Sequence, residues 1–349
     1  MPTISVEQNL IAKLLAQHKL DHDVGQIADE LPLLGTDIDR CDAQTLDIEI
    51  FPNRPDLLSG ETLTRAIRNF VHRQPAKPSI TTTEGKITLN VEPDLAEIRP
   101  VILGAVVRNV DYTSIGVSAD EFIKSLMDHQ EKLHFALGRG RKRASIGVHD
   151  LAKLAPPFTV KAVSGDTKFT PLAATEPMSI KEIMAEHPKG IEYAHLLSEF
   201  DRYPIILDAE NNVLSFPPII NGDHTTVTKE TKDFFIDVTG WDIRACESSL
   251  MLIALQLQEY GGIIETVEVT NCFGATNVYP NGSAVEHKLT IAAIQGLLGG
   301  KLTEEAISGA INRMGGKLVA CDDELITLEM PRWRVDILHT VDLVAVSYT

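Results

Sequence analysis

The chain has 349 residues, 44% of them hydrophobic, which is enough for two or three packed domains. Its formal net charge of -17 argues against broad nonspecific binding to nucleic acid or to an anionic membrane, so any RNA contact has to use a local basic patch. Met1-Pro2-Thr3 opens no signal peptide, and the most apolar run, Leu250 to Leu257, is far too short to span a bilayer. The four scattered cysteines contain no CxxC pair and indicate neither a structural zinc nor a disulfide framework; the expected compartment is the cytoplasm.

Ser5-Val6-Glu7-Gln8 has the form of a capping box opening a first helix, with Leu10, Ile11, Leu14 and Leu15 on one face. Leu46 to Phe51 alternates as a half-buried strand. Pro52 to Ser59 reads as a tight turn into a helix that buries Leu63, Ile67 and Phe70 or Val71. Asn53, Arg54 and Asp56 either lock that turn or face a partner, and the lock is preferred. His72 to Gly85 is Pro- and Thr-rich without apolar period, a linker. Val101 to Val110 predicts a long apolar strand. Ser118-Ala119-Asp120-Glu121 is a second capping box, for a helix burying Phe122, Leu126 and Leu133.

Gly138 to Arg143 is the one dense basic cluster. Arg139, Arg141, Lys142 and Arg143 in an otherwise acidic chain, flanked by glycines, favour an anion site over a solvated loop. His149, after the apolar strand Ala144 to Val148, is either a base at a site or a satisfied structural histidine; the second is preferred.

In the stretch Leu214 to Gly240, Pro217-Pro218 fixes φ twice and removes two donors, which predicts a rigid, extended wall. Asn221-Gly222 then predicts a turn tolerating positive φ. Phe234-Phe235-Ile236 reads as a buried strand, followed by Asp237 and Thr239, which point to one side of an extended chain. A carboxylate and a hydroxyl so placed either hold a water or a substrate hydroxyl, or cap the next helix. That helix, after Trp241-Asp242, buries Leu250, Ile253, Ala254 and Leu257. From about Asn271 a smaller domain begins, in which Thr303 caps a helix burying Ile307, Ala310, Ile311 and Met314, and Leu325 to Met330 is a strand.

Several phrases stand collinear: Asn53-Arg54-Pro55-Asp56-Leu57-Leu58-Ser59, Gln130 to His134 (QEKLH), Ser215 to His224 (SFPPIINGDH), Phe234 to Gly240 (FFIDVTG), and Arg334-Val335-Asp336-Ile337 with His339 and Asp342-Leu343. In that order the chain resembles the N-terminal part of phenylalanyl-tRNA synthetase β chains of the archaeal and eukaryotic cytosolic type, the part carrying the editing domain. The resemblance implies a multidomain α+β fold. Residues 1-85 would be a small α+β domain and linker, 86-270 a central mixed α/β editing domain, and 271-349 a winged-helix-like domain. It implies hydrolysis of mischarged Tyr-tRNA(Phe), with Asp237, Thr239 and Ser215 catalytic. Ile206, Pro217, Asn221 and His149 would meet the substrate, and the basic cluster would meet tRNA phosphates.

The same resemblance implies a synthetase α chain as partner in a heterotetramer, tRNA(Phe) as ligand, and neither membrane nor DNA. ATP and magnesium would belong to the whole enzyme, with no cofactor for editing. The family's closing acids form a magnesium site, of which Asp336 and Asp342 are present. The expected acid pair is absent after Val344, where the chain reads Ala345 to Thr349, so the last domain is expected to be truncated and the site poor. Aminoacylation is not expected from this chain alone. The alternative is a non-catalytic paralogue that binds tRNA or a subunit as a scaffold.

Overall fold

The computed structural model describes residues 2–299, 303–322 and 324–346; the closing Ser347-Tyr348-Thr349 lies outside the described residues. The fold is α+β and divides into two compact units. One gathers Met1–Thr81, Ile115–Val117 and Gly282–Thr349; the other holds Thr82–Ser114 and Ser118–Asn281. The three consecutive blocks expected from the sequence thus become two units, with both chain ends in the first. The central unit runs past residue 270, because the strand Thr276–Tyr279 pairs with Ile263–Thr270.

The first unit contains one module twice. Strands Thr3–Glu7, Thr36–Cys41 and Thr45–Ile50 form a three-stranded sheet with the third strand central, and two helices, Gln8–Ala16 and Val24–Glu30, connect the first strand to the second. Strands Val285–Thr290, Lys317–Cys321 and Leu325–Met330 repeat that order around Ile291–Leu298 and Glu304–Arg313. The irregularities repeat too, each 280 positions on. The register slips between Ile38 and Arg40 and again between Leu318 and Ala320. Asp42 Oδ1 accepts from the amides of Gln44 and Thr45, and Asp322 Oδ1 from those of Glu324 and Leu325. Gly35 and Gly315 both take positive φ (92° and 86°) before the second strand.

In each copy an arginine closes the turn after the last strand. Arg54 donates to both carboxylate oxygens of Asp56 (2.9 and 2.8 Å) and to the Leu34 carbonyl. Arg334 donates likewise to Asp336 (2.7 and 2.6 Å) and to the Met314 carbonyl. The expected lock by Arg54 and Asp56 is therefore present, while Asn53 is exposed. One difference appears at the first helix: Thr3–Glu7 is a strand and the helix begins at Gln8 without a side-chain cap, so Ser5 caps nothing. Alternating burial of Ile4 and Val6 against the central strand outweighs the local capping pattern.

The second unit is a ten-stranded, largely antiparallel sheet. In order across the sheet its main path runs Ile220–Asn221, Val213–Phe216, Arg202–Leu207, Phe158–Ser164, Thr88–Val91, Ile263–Thr270, Val101–Arg108, Phe234–Gly240 and Ala144–Asp150. Its outer face at the Phe234 end is covered by the helices Ile243–Gln258 and Ala119–Ala136. The second of these carries the Ser118–Glu121 capping box and buries Phe122, Leu126 and Leu133, as its sequence predicts. The inner face closes over an apolar cluster around Phe158, Phe216 and Phe235.

Candidate active site

The two ends of that sheet order meet across a cavity of about 610 Å³, so the sheet curls back on itself. One wall is the end pair of strands, presenting Ser145, Gly147 and Asp237. The other is the hairpin Val213–Asn221, presenting Ser215, Pro217 and Asn221. The hairpin turns at the cis Pro217-Pro218 bond, with the Ile219 amide donating to the Phe216 carbonyl at 2.8 Å. The diproline is therefore a tight turn rather than an extended wall. Gly222 keeps a negative φ of -73°. It is needed for proximity instead: a Cβ there would lie 2.2 Å from the Val213 carbonyl oxygen.

Asp237 occupies the middle of its strand with a glycine opposite on each side, Gly104 and Gly147. A Cβ on Gly147 would lie 2.0 Å from Asp237 Oδ2 and 2.7 Å from His149 Nε2, so only glycine leaves room for that pair. His149, fully buried, sits 2.7 Å from Asp237 Oδ2 through Nε2 and 2.8 Å from Thr225 Oγ1 through Nδ1. Asp237 Oδ1 has no protein partner among the described residues, and Asp237 lines the cavity. A buried carboxylate with one oxygen fixed and one open is an acceptor for a ligand hydroxyl.

Thr239 shares Asp237's face, as strand alternation requires, yet it is fully buried and does not reach the cavity. Its hydroxyl accepts from Arg99 Nε at 2.6 Å and lies 3.0 Å from Ser145 Oγ. Arg99 is itself buried; Nη2 donates to Ser145 Oγ, the Arg141 carbonyl and the Thr239 carbonyl at 3.0, 3.0 and 2.7 Å. Burial pushes the guanidinium down to about 10, against the opposing pull of Cys246 and Asp237.

Of the other expected residues, Ser215 and Asn221 line the cavity and bond to each other at 3.2 Å, and Pro217 lies beside them. Ile206 does not line it. Its strand places it opposite Val160 and Ser215, inside the apolar cluster. His149 stands behind Asp237 rather than on the surface of the cavity.

The basic cluster divides. Arg141 is buried, donates to the Pro218 and Ile219 carbonyls (3.2 and 3.0 Å) and to Glu131 (2.7 Å), and stacks 4.2 Å over the Tyr193 ring. It clamps the hairpin turn. Arg143 pairs with Asp242, the cap of the following helix. Arg139 and Lys142 are exposed and carry no ion pair among the described residues. Beneath the loop, His134 Nε2 accepts from the Ile146 amide at 2.8 Å, and burial holds its pKa below the usual value. Glu131, whose Oε1 lies 3.4 Å from His134 Nδ1 and accepts from Arg141, is held down at about 2 by these two neighbours.

In the first unit, Asp336 and Asp342 do not form a metal pair. Asp336 gives both oxygens to Arg334, and Asp342 Oδ2 accepts from the amides of Leu338 and His339 at 2.9 and 2.7 Å. A hard cation needing near-octahedral oxygen ligation does not fit a carboxylate already saturated by a guanidinium. No group of three or more His, Cys, Asp or Glu stands ready for a metal among the described residues.

The family model of the B3/4 domain matches residues 103–256, and that of the tRNA synthetase B5 domain matches residues 287–345. The phenylalanine–tRNA ligase beta subunit of Methanosarcina acetivorans is 43% identical over 344 residues, 99% of this chain and 61% of that protein. That of Archaeoglobus fulgidus is 37% identical over 353 residues, 100% of this chain and 62% of the relative. The chain thus spans about three fifths of the length of the curated relatives it matches. A crystallised N-terminal fragment of the phenylalanyl-tRNA synthetase beta-subunit from Pyrococcus horikoshii superposes with a TM-score of 0.90 at 28% identity, covering 99% of this chain and 98% of the fragment.

Proposed function

We propose that this chain is the N-terminal part of a phenylalanine–tRNA ligase β-subunit and that its B3/4 domain hydrolyses the ester of mischarged Tyr-tRNA(Phe), a reading supported by the matches to such subunits and to the B3/4 and B5 domains. Tyrosine exceeds phenylalanine by one hydroxyl, which a hydrophobic synthetic pocket rejects only about a hundredfold. A second site must select what the first one fails to exclude. The observation that carries this reading is the half-engaged carboxylate of Asp237 at the wall of an otherwise largely apolar cavity. Its open oxygen accepts a phenolic O–H; a phenylalanine ring there leaves the buried acceptor unsatisfied.

Ser215, Asn221 and Pro217 form the opposite rim, against which the aminoacyl end rests. A water oxygen bonds to the ester carbonyl carbon, the carbon–oxygen bond to the ribose breaks, and the ribose oxygen keeps the water's proton. Tyrosine leaves as the acid and loses its proton to solvent. Arg139 and Lys142 are the cations open to tRNA phosphates, while Arg141 and Arg143 shape the rim. In this reading the chain works beside a synthetase α chain in the cytoplasm. Charging with ATP and magnesium belongs to the complete enzyme.

The test is release of tyrosine from pre-charged Tyr-tRNA(Phe), with Phe-tRNA(Phe) as control. Asp237→Ala is expected to fold and to slow tyrosine release by about 10- to 100-fold, the range of one hydrogen bond to a charged group. Undiminished selective hydrolysis by folded Asp237→Ala would remove the assignment.

A further inference from the structure

Arg99 is a buried cation with no carboxylate in hydrogen-bonding contact among the described residues, and such a group is costly unless its donors are used. Its partners are two hydroxyls and two carbonyls. The two hydroxyls, Thr239 Oγ1 and Ser145 Oγ, lie 3.0 Å apart and both accept from the guanidinium. Each hydroxyl owns one proton, and one proton suffices for the bond between them. A second O–H donor is therefore left over. Arg99, a pure donor, cannot take it, and no other acceptor meets either hydroxyl among the described residues.

The two places where that surplus donor could lie differ sharply. Thr239 is 0% exposed, so an unused O–H there is an orphaned buried donor. Ser145 lines the cavity, two residues from Gly147 and on the same face as Asp237. The lower-energy arrangement has Thr239 donating to Ser145, and Ser145 donating into the cavity.

We propose that Ser145 is the specificity-determining partner of Asp237: the cavity presents an acceptor and a donor side by side and reads a substrate hydroxyl in both directions. Arg99 and Thr239 are positioning residues that aim the Ser145 proton outward. This rests on the editing reading above and adds the second half of hydroxyl recognition to it. A phenol satisfies both groups at once, donating to Asp237 Oδ1 and accepting from Ser145 Oγ. A ring without the hydroxyl leaves two buried polar groups unpaired instead of one.

The experiment compares hydrolysis of Tyr-tRNA(Phe), of Phe-tRNA(Phe) and of tRNA(Phe) carrying O-methyltyrosine, by the wild-type chain, Ser145→Ala and Arg99→Lys, with folding checked by circular dichroism. O-Methyltyrosine keeps the ether oxygen that accepts from Ser145 but cannot donate to Asp237. Ser145→Ala is expected to lower the tyrosine-to-phenylalanine rate ratio about tenfold, the scale of one hydrogen bond at a buried site, and to abolish any remaining advantage of O-methyltyrosine over phenylalanine. Arg99→Lys, which keeps the charge and loses the fork, is expected to lower the same ratio; a purely structural role would lower both rates together. A folded Ser145→Ala chain with the wild-type ratio overturns the proposal while leaving the editing reading intact. A wild-type chain that hydrolyses neither cognate nor mischarged ester overturns both.

Discussion

Gly147→Ala tests whether Asp237 is held by its surroundings or merely located among them. The new Cβ would stand 2.0 Å from Asp237 Oδ2 and 2.9 Å from its Cγ. Relief requires the carboxylate to retreat by more than about 1 Å, since non-bonded heavy atoms prefer roughly 3.5 Å or more. His149 Nε2, 2.7 Å from the same Cβ, blocks the simplest retreat, and the 2.7 Å bond between the two side chains breaks. Overpacking costs about 1–3 kcal/mol, and losing a buried hydrogen bond to a charged group about 1.5–3 kcal/mol. The expected destabilisation is about 3–5 kcal/mol, with loss of tyrosine selection.

Gly104→Ala is the matched control, because it faces Asp237 from the other neighbouring strand. Its Cβ would meet Phe235 Cε2 at 3.2 Å and Val267 Cγ1 at 3.3 Å, contacts a ring edge and a methyl relieve by small shifts, and the cost should stay near 1 kcal/mol. Denaturant unfolding followed by circular dichroism measures both, and a double-mutant cycle isolates the cause. In an Asp237→Ala background the Gly147→Ala penalty should fall by about 2 kcal/mol or more. An equal penalty in both backgrounds, or wild-type tyrosine selection by Gly147→Ala, would refute the steric account.

Arg141→Met removes the bonds to the Pro218 and Ile219 carbonyls; amide exchange across residues 216–222 should then accelerate about tenfold or more, whereas Arg139→Met, at an exposed position, should leave it unchanged. His134 gives a pH prediction. Burial lowers its folded pKa below 6.5, so below that pH the unfolded chain binds a proton that the folded chain refuses. Its contribution is complete above about pH 6.5 and is lost on acidification, by at most about 1.4 kcal/mol per pH unit. Unfolding titrations from pH 7.5 to 5 should show a shallower acid-side decline in His134→Gln than in wild type, and equal slopes would contradict it.

Much of the second unit was legible because its signals are periodic. Phe234 to Gly240 is a strand, and Asp237 and Thr239 share a face, as alternation demanded. Alternation could not say which of the two reaches the cavity, since that depends on Arg99, 140 positions away in sequence. A usable signal was nonetheless present on the neighbouring strand. Ser145, Gly147 and His149 alternate with apolar Ile146 and Val148, a polar or empty face inside a strand otherwise read as apolar. Ile206 shows the opposite limit: burial was predictable, but whether a buried side chain borders a cavity or a core depends on how the sheet curls. The basic run was visible as charge, while the internal carbonyls and carboxylates that engage Arg141 and Arg143 were not.

The duplicated module places one Arg-x-Asp motif at two equivalent positions. In sequence Arg54-x-Asp56 reads as a lock, while the resemblance places Asp336 of Arg334-x-Asp336 with Asp342 in a metal site. Their surroundings are nevertheless the same: an arginine forked onto an aspartate two residues on, with its third bond to a carbonyl twenty residues back. Repetition of the bulge, the aspartate-capped turn and the positive-φ glycine at one constant offset means that fold geometry suffices to account for both pairs. The two locks also feel each other, Asp56 acting on Arg334 and Arg54 on Asp336, so three buried charges and the partly buried Asp336 form two pairs of opposite sign within one unit. Such a cluster is stable only while complete, because removing one member leaves its partner buried and uncompensated. Asp336 is thus engaged as Asp56 is, each giving both oxygens to an arginine, and neither carboxylate is free to serve a cation.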